Sequence, residues 1–407
     1  MKMITGGVCA AQGFKAGGIH MGVKTHATWK KDVALIVSDC LCSTAAVYTK
    51  NQVKAAHIHV DMEHLQNGKA RAAVINSGNA NACAPNDLAN AQRMCAAVAK
   101  EVGCDVADVV AASTGVIGQE LNIGVIEAGM PELYKSISAD AAGSDAAAHA
   151  IMTTDTQVKE LAVETEIGGK TVRLGGIAKG SGMIHPNMGT MLCFLTTDCA
   201  ISPAMTKEAL LETVNVSFNR ISVDGDTSTN DTCCVMANGL AGNDLITEKN
   251  ADYAAFVAAL KELSVQLAIM MASDGEGAKH LITCTVEGAE TEAKAETIAK
   301  SVICSTLTKA AIFGCDANWG RVLCAMGYSG ESFDPRKVSV WFESAAGSIL
   351  VCQDGEGLPF DEDLAKAILT EHDVVIKIAM NEGAAACTCW GCDITYDYIK
   401  INGDYRT

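Results

Sequence analysis

The chain has 407 residues, 49% of them hydrophobic, with 37 glycines and only 6 prolines, a globular composition with room for two or three domains. Acidic residues outnumber basic ones by 48 to 31, a formal charge of −17, so the surface repels nucleic acid and anionic membranes and neither is expected as a partner. The opening Met1-Lys2-Met3-Ile4-Thr5-Gly6-Gly7 turns polar before an apolar signal core can form, and the most apolar later stretch, Phe256 to Met271, is broken by Lys261 and Glu262. A cytoplasmic protein is expected.

Strand and helix signals alternate along the chain, which predicts a mixed α/β fold built from layers of sheet and helix. Val33 to Val37 and Ala72 to Ile75 read as short buried strands. Asp87 is expected to cap a helix whose apolar face runs Leu88, Ala91, Cys95, Val98 and Val102, with Gly103 as its stop. A second helix opens at Ser202-Pro203, a capping residue followed by proline in the first turn. A third carries Phe256, Leu260, Leu263, Leu267 and Met270 in one buried stripe. After Gly277 the pattern continues on a smaller scale: strands over Leu281–Val286, Val338–Phe342 and Val374–Ile378, and a helix over Ala295–Ile303. A second, smaller α/β domain from roughly residue 280 is expected on ordinary domain sizes.

The 18 cysteines are scattered and not set at disulfide-framework spacings, so free thiols acting as small core hydrophobes are expected. Cys387, Cys389 and Cys392 have no second Cys/His pair at zinc-site spacing, and no metal is expected. Asp224 to Asp231 superficially resembles a calcium loop but lacks the sixth-position glycine and has Val235 at the twelfth. Lys179-Gly180-Ser181 does not satisfy the order of a nucleotide-binding P-loop.

The stretch that carries chemistry runs from Gly175 to Asp198. A glycine-rich loop enters the turn at Pro186 and then meets Gly189-Thr190 at the mouth of the apolar strand Met191-Leu192-Cys193-Phe194-Leu195. Gly189 lacks a Cβ, so the bond before Thr190 tolerates strained geometry. The Thr190 hydroxyl could attack the Gly189 carbonyl, shift the acyl group from nitrogen to oxygen, and on hydrolysis free a chain that starts at Thr190. A chain-terminal threonine brings its own base, an α-amine titrating near about 7.7–8.0. Taken alone, Gly-Thr also reads as a turn feeding a buried strand.

The segment resembles the cleavage motif of the glutamate N-acetyltransferase (ornithine acetyltransferase) family of arginine biosynthesis. The likeness continues in order through Gly13-Phe14-Lys15-Ala16-Gly17-Gly18, Ser217 to Asp231, Phe313-Gly314-Cys315-Asp316-Ala317-Asn318-Trp319-Gly320-Arg321, Trp390-Gly391-Cys392-Asp393 and the tail Asn402 to Thr407. What the resemblance implies is a self-processing enzyme that moves acetyl from N2-acetylornithine to glutamate by a ping-pong route through acetyl-Thr190. Its fold would be a layered sandwich like that of self-cleaving aminopeptidases. Residues 1–189 would form an alpha fragment, 190–280 would complete the catalytic domain, and 281–407 would make the smaller C-terminal domain. Two alpha and two beta fragments would assemble as a heterotetramer. No cofactor is implied, although acetyl-CoA is a co-substrate in those members that are bifunctional.

Carried over residue by residue, the resemblance makes Thr190 the nucleophile, and Thr114 and Gly115, within Ser113-Thr114-Gly115-Val116-Ile117-Gly118, the oxyanion donors. Thr153 is taken over Thr154 for substrate binding by its spacing to Lys179. Lys179 would pair with the α-carboxylate, Glu276 would meet the side-chain amine of ornithine, and Asn402 and Thr407 would complete the pocket. A Lys with a Glu suits a zwitterionic amino acid, because desolvated charges are tolerable only when paired. The chain departs from the family at Gly189, where alanine is frequent, at Ala84-Pro85-Asn86, and at His185, expected to point to solvent. Two rivals remain: a hydrolase on the same scaffold with water as acceptor, and a non-enzymatic amino-acid-binding protein that stays a single chain.

Overall fold

The structure is a computed structural model that describes residues 1–25, 29–185 and 191–404. In chain order, strands β1 to β8 are Lys2–Ile4, Phe14–Ile19, Val33–Tyr48, Lys69–Asn76, Val109–Ser113, Lys159–Ile167, Lys170–Lys179 and Leu192–Thr197; β9 is the short Ile221–Ser222 and β10 is Thr232–Ala237. All but β9 form one sheet in the order β1-β6-β7-β8-β10-β3-β4-β5, with β2 paired to the first half of β3. The 16-residue β3 is the spine of this sheet: Val33–Ser38 pairs with β2, and Ser43–Tyr48 with β10 on antiparallel register. Parallel pairing joins β10 to β8, Thr232 opposite Leu192.

Side-chain alternation divides this sheet into two faces. Ala34, Ile36, Ala73, Ile75, Val110, Leu192, Phe194, Cys234 and Met236 pack together with helix Ala141–Ile151 on one face. The residues that alternate with them along each strand point the other way. Val33, Leu35, Val74 and Ala111 meet helices Asp87–Val102 and Ile123–Ser136, whereas Val163, Leu174, Cys193, Leu195 and Val235 meet helices Pro203–Val216 and Ala251–Ser273. The fold is therefore mixed α/β, with helices layered on both faces.

The second sheet takes β11 Leu281–Ala289, β12 Ser339–Ser344, β13 Gly347–Gln353, β14 Glu356–Gly357, β15 Asp373–Ala379 and β16 Ala385–Cys392, in the order β14-β13-β12-β15-β11-β16-β9. Ile282, Cys284, Val286, Val340, Phe342, Ile376, Ile378 and Cys389 bury one face of it under helices Glu292–Cys304, Trp319–Gly327 and Glu362–Thr370. This is the smaller α/β unit.

Two local expectations need correction. Asn86, not Asp87, holds the N-cap position of helix Asp87–Val102; Asp87 is its first helical residue, and its carboxylate accepts from the Leu88 N–H at 2.7 Å. Leu88 is 47% exposed because that first turn projects beyond the packed stripe, which begins at Ala91. Gly103 ends the helix as expected, at φ 70°, its N–H bonded to Ala99 O. Ser202 caps the next helix by accepting from Met205 N–H at 3.4 Å. In helix Ala251–Ser273 the buried stripe closes on Met271 rather than Met270. That helix is long and apolar enough to cross a membrane by length and composition, yet half of its apolar window is buried, against β6, β7 and helix Pro203–Val216.

Candidate active site

β5 delivers Ser113 to a tight turn at Thr114-Gly115, where the Thr114 N–H bonds to Asn76 O at 2.8 Å. Gly115 sits at φ +134°, and a Cβ there would stand 2.8 Å from the backbone nitrogen of Asn79, so glycine is required. The facing loop is held by its own asparagines. Asn76 Nδ2 donates to Asn79 O at 2.8 Å and its Oδ1 accepts from Gly78 N–H at 2.9 Å, while Asn230 Nδ2 donates to Ala80 O at 2.7 Å and Ser113 O at 2.8 Å. The turn bridges antiparallel to Asn79, and both Thr114 and Gly115 line the cavity. A hydroxyl and a main chain on a rigid turn suit an oxygen that gains negative charge.

Below this turn lies a buried ion cluster. Lys159 Nζ lies 2.7 Å from Asp155 Oδ1 and 2.5 Å from Asp274 Oδ2, with none of the lysine side chain exposed. Asp155 also accepts from the N–H groups of Gly180 (2.7 Å) and Thr153 (3.0 Å). Burial pushes the Asp155 carboxyl up, but Lys179 and Lys159 beside it more than reverse this and hold it well below the usual carboxylate range. Lys179, at the end of β7, is only 7% exposed, and among the described residues no carboxylate lies within ion-pair distance of it. Burial pushes its ammonium down, against the pull of Asp155. Glu276, also 7% exposed, is held by Asn402 Nδ2 at 2.7 Å. Gly182 leaves room for it: a Cβ at that position would meet the Glu276 carboxyl at 2.4 Å.

Thr114, Gly115, Thr153, Thr154, Lys179, Glu276 and Asn402 line one cavity of about 140 Å³. Six residues that the sequence nominated, from five separate stretches of chain, therefore share one space, and both Thr153 and Thr154 reach it. Gly189, Thr190 and Thr407 lie outside the described residues, although Met191, joined to Thr190 by a peptide bond, lines the same cavity. Ser228, Thr229, Asn230 and Asp231 line it too and were not nominated. They belong to the segment whose calcium-loop likeness was set aside, so the acidic, hydroxyl-rich pattern was the available signal. Asp231 is 1% exposed, and among the described residues its Oδ2 has no hydrogen-bond partner. Burial pushes its carboxyl well above the usual range, opposed by hydrogen bonding to the carboxyl from Thr49 and Ser228 and by the charge of Lys179.

His185 does not point to solvent. Its Nδ1 lies 3.1 Å from Ser222 Oγ and 3.5 Å from Cys304 Sγ, because the loop ahead of it is pinned by Asp224, which accepts from Met183 N–H (2.6 Å) and Ile184 N–H (2.9 Å). Burial lowers its imidazole below the ordinary value, assisted by Lys300 and opposed by Asp224. All 18 cysteines are free, and most are core residues as expected, Cys83 and Cys324 being exposed. Cys387, Cys389 and Cys392 are buried. Among the described residues, no group of His, Cys, Asp or Glu side chains is arranged to hold a metal ion.

Comparison with known proteins gives a consistent answer. Residues 15–407 match the ArgJ family. The arginine biosynthesis bifunctional protein ArgJ of Caldanaerobacter subterraneus subsp. tengcongensis is 47% identical over 408 residues, covering 100% of both chains. Its namesake in Bacillus subtilis is 44% identical over 406 residues, 99% of this chain and 97% of the relative. The solved structure of arginine biosynthesis bifunctional protein argJ from Bacillus halodurans aligns with a TM-score of 0.50 at 43% identity, covering 52% of this chain and 98% of that one. The chain belongs to the ArgJ family.

Proposed function

We propose that this chain cuts itself between Gly189 and Thr190 and then transfers acetyl from N2-acetylornithine to glutamate through an acetyl-Thr190 intermediate, as a cytoplasmic enzyme of arginine biosynthesis. The observation that carries this reading is one cavity that joins a buried cation without a described ion-pair partner, a buried carboxylate and the Thr114-Gly115 turn. Lys179 receives the substrate's α-carboxylate. Glu276, positioned by Asn402, receives the side-chain ammonium of ornithine, with Thr153 and Thr407 completing the contacts. Thr114 and Gly115 hold the oxyanion that forms when Thr190 Oγ attacks the acetyl carbonyl. The α-amine of Thr190, freed by cleavage, takes the hydroxyl proton.

Family membership supports the acetyl-transfer chemistry. The Bacillus halodurans chain, nearly all of which aligns to only about half of this one, supports a two-fragment enzyme. Fragments 1–189 and 190–407 would pair as a heterotetramer of two copies each. No cofactor is needed. Acetyl-CoA is proposed as a second acetyl donor, since the relatives carry "bifunctional" in their names.

Intact-mass analysis tests the reading directly. Two species split at the Gly189–Thr190 bond are expected, and a lone full-length mass would refute it. Thr190→Ala should abolish both cleavage and glutamate acetylation. Residual transfer by that variant would mean that another group carries the acetyl. Glutamate-dependent release of CoA from acetyl-CoA tests the second donor.

A further inference from the structure

Resting on the acetyl-Thr190 reading, we propose that Asp231 is the acid–base group for the substrate's α-nitrogen, protonating it as the acetyl group leaves for Thr190 and deprotonating the α-ammonium of the incoming acceptor. Asp231 sits in the cavity wall, 1% exposed, with an Oδ2 that has no hydrogen-bond partner among the described residues. A buried carboxyl oxygen without a partner is costly to fold, and such groups persist where a ligand completes them. Its main chain is fixed on both sides: Asp231 O accepts from Thr49 N–H at 3.1 Å, and the following Thr232 N–H donates to Met191 O at 2.9 Å. It therefore stands one residue ahead of β10, which pairs with β8, the strand that Thr190 leads into.

Lys179 and Asp231 face the same cavity and feel each other's charge. If Lys179 holds an α-carboxylate, the α-nitrogen, bonded to the same carbon, must lie close by. Glu276, positioned by Asn402, is assigned to the side-chain ammonium, which leaves Asp231 as the cavity-lining carboxyl for the α-nitrogen. Burial raises the Asp231 carboxyl well above the usual range, which favours its protonated form as the starting acid.

The protons balance across both half-reactions. In the first, Thr190 Oγ bonds to the acetyl carbon and the C–N bond breaks. The leaving nitrogen gains one proton from Asp231 and the Oγ proton relayed by the Thr190 α-amine, so it departs as an ammonium and leaves Asp231 a carboxylate. In the second, the incoming ammonium returns a proton to Asp231. As the new C–N bond forms and the C–O bond breaks, a second proton passes through the α-amine to Oγ, and the amide keeps the third hydrogen. The other titratable groups around Asp231 are Lys179 at the end of β7, Asp155 and Lys159 behind it, Glu276 from the loop after helix Ala251–Ser273, and His57. His57 lies 3.1 Å from Thr232 Oγ1, is lowered to about 3 by burial, and stays neutral.

The test is the relative rate of acylation by two donors. p-Nitrophenyl acetate loses a phenolate that needs no proton, whereas N2-acetylornithine loses an amine that does. In Asp231→Asn the ratio of ester to acetylornithine acylation should rise about 10²–10⁴-fold, and Asp231→Glu, which keeps a titrating group, should restore part of the acetylornithine rate. A ratio that stays at the parent's value, or an Asp231→Glu no better than Asp231→Asn, overturns the assignment. So does an Asp231→Asn chain that folds but stays uncleaved, since the role lies after cleavage. Should Asp231→Asn not fold, Asp231→Ser gives the same ratio. An uncleaved parent would instead refute the acetyl-Thr190 reading itself.

Discussion

Two buried charge groups lie side by side at the ends of β6 and β7, and they are built on opposite principles. Lys159 is saturated by Asp155 and Asp274, and every partner comes from the protein. Lys179, Glu276 and Asp231 line a cavity with bonding capacity left over: among the described residues, a lysine without an ion-pair partner and a carboxyl oxygen without a hydrogen-bond partner. A closed ion cluster fixes the fold, whereas an open one awaits a ligand that brings the missing charges. The difference teaches where to look for the substrate, because burial alone does not separate the two groups.

The largest break in that contrast comes from the closed cluster. Lys159→Met leaves Asp155 and Asp274 buried without their cation, and should cost about 3–5 kcal/mol of stability, read from a urea denaturation midpoint. The same cluster should weaken in acid. The Asp155 carboxyl is held below its unfolded value, so its contribution is full above about pH 4 and is lost as pH falls through the depressed value. Lys179→Met breaks no pair in contact, although it removes charge that helps keep Asp155 ionised, so its stability loss should be the smaller of the two. Its KM for N2-acetylornithine should rise about 10–100-fold, the equivalent of a charged hydrogen bond worth about 1.5–3 kcal/mol. Equal stability losses for the two lysine variants would erase the distinction. The smallest effect is expected for Glu276→Gln: a rise in KM for N2-acetylornithine of about 10-fold, with none for glutamate, whose side chain carries the opposite charge. A parallel rise for both substrates would remove Glu276 from the role of charge reader.

Much of the fold was legible because it follows from local pattern. The apolar runs at Val33–Val37 and Ala72–Ile75 lie within β3 and β4, and Ser202 caps its helix as expected. The second half of β3 was not read, because Ser43 and Thr44 interrupt its hydrophobicity and its ladder is set by pairing with β10 across nearly 200 residues. Within the site, Lys179, Glu276 and Thr114 were found through motifs. Asp231 was on the page as a letter in a loop, but its distinguishing property, an oxygen left without a partner, exists only once Thr49, Met191 and the cavity are brought around it. His185 misled for the same reason: its partners Ser222 and Cys304 are distant in sequence.

The strand order of the large sheet has a consequence for the proposed cut. Read across its middle, β7 belongs to the piece before Gly189, β8 and β10 to the piece after it, and β3 again to the first. The later piece is thus a two-strand insert, zipped to its neighbours along six residue pairs on each side. Severing the chain would release a terminus without releasing a part. The halves could separate only by unzipping both seams at once, so the cut enzyme should copurify as one particle, and fragments made apart should exchange slowly if at all.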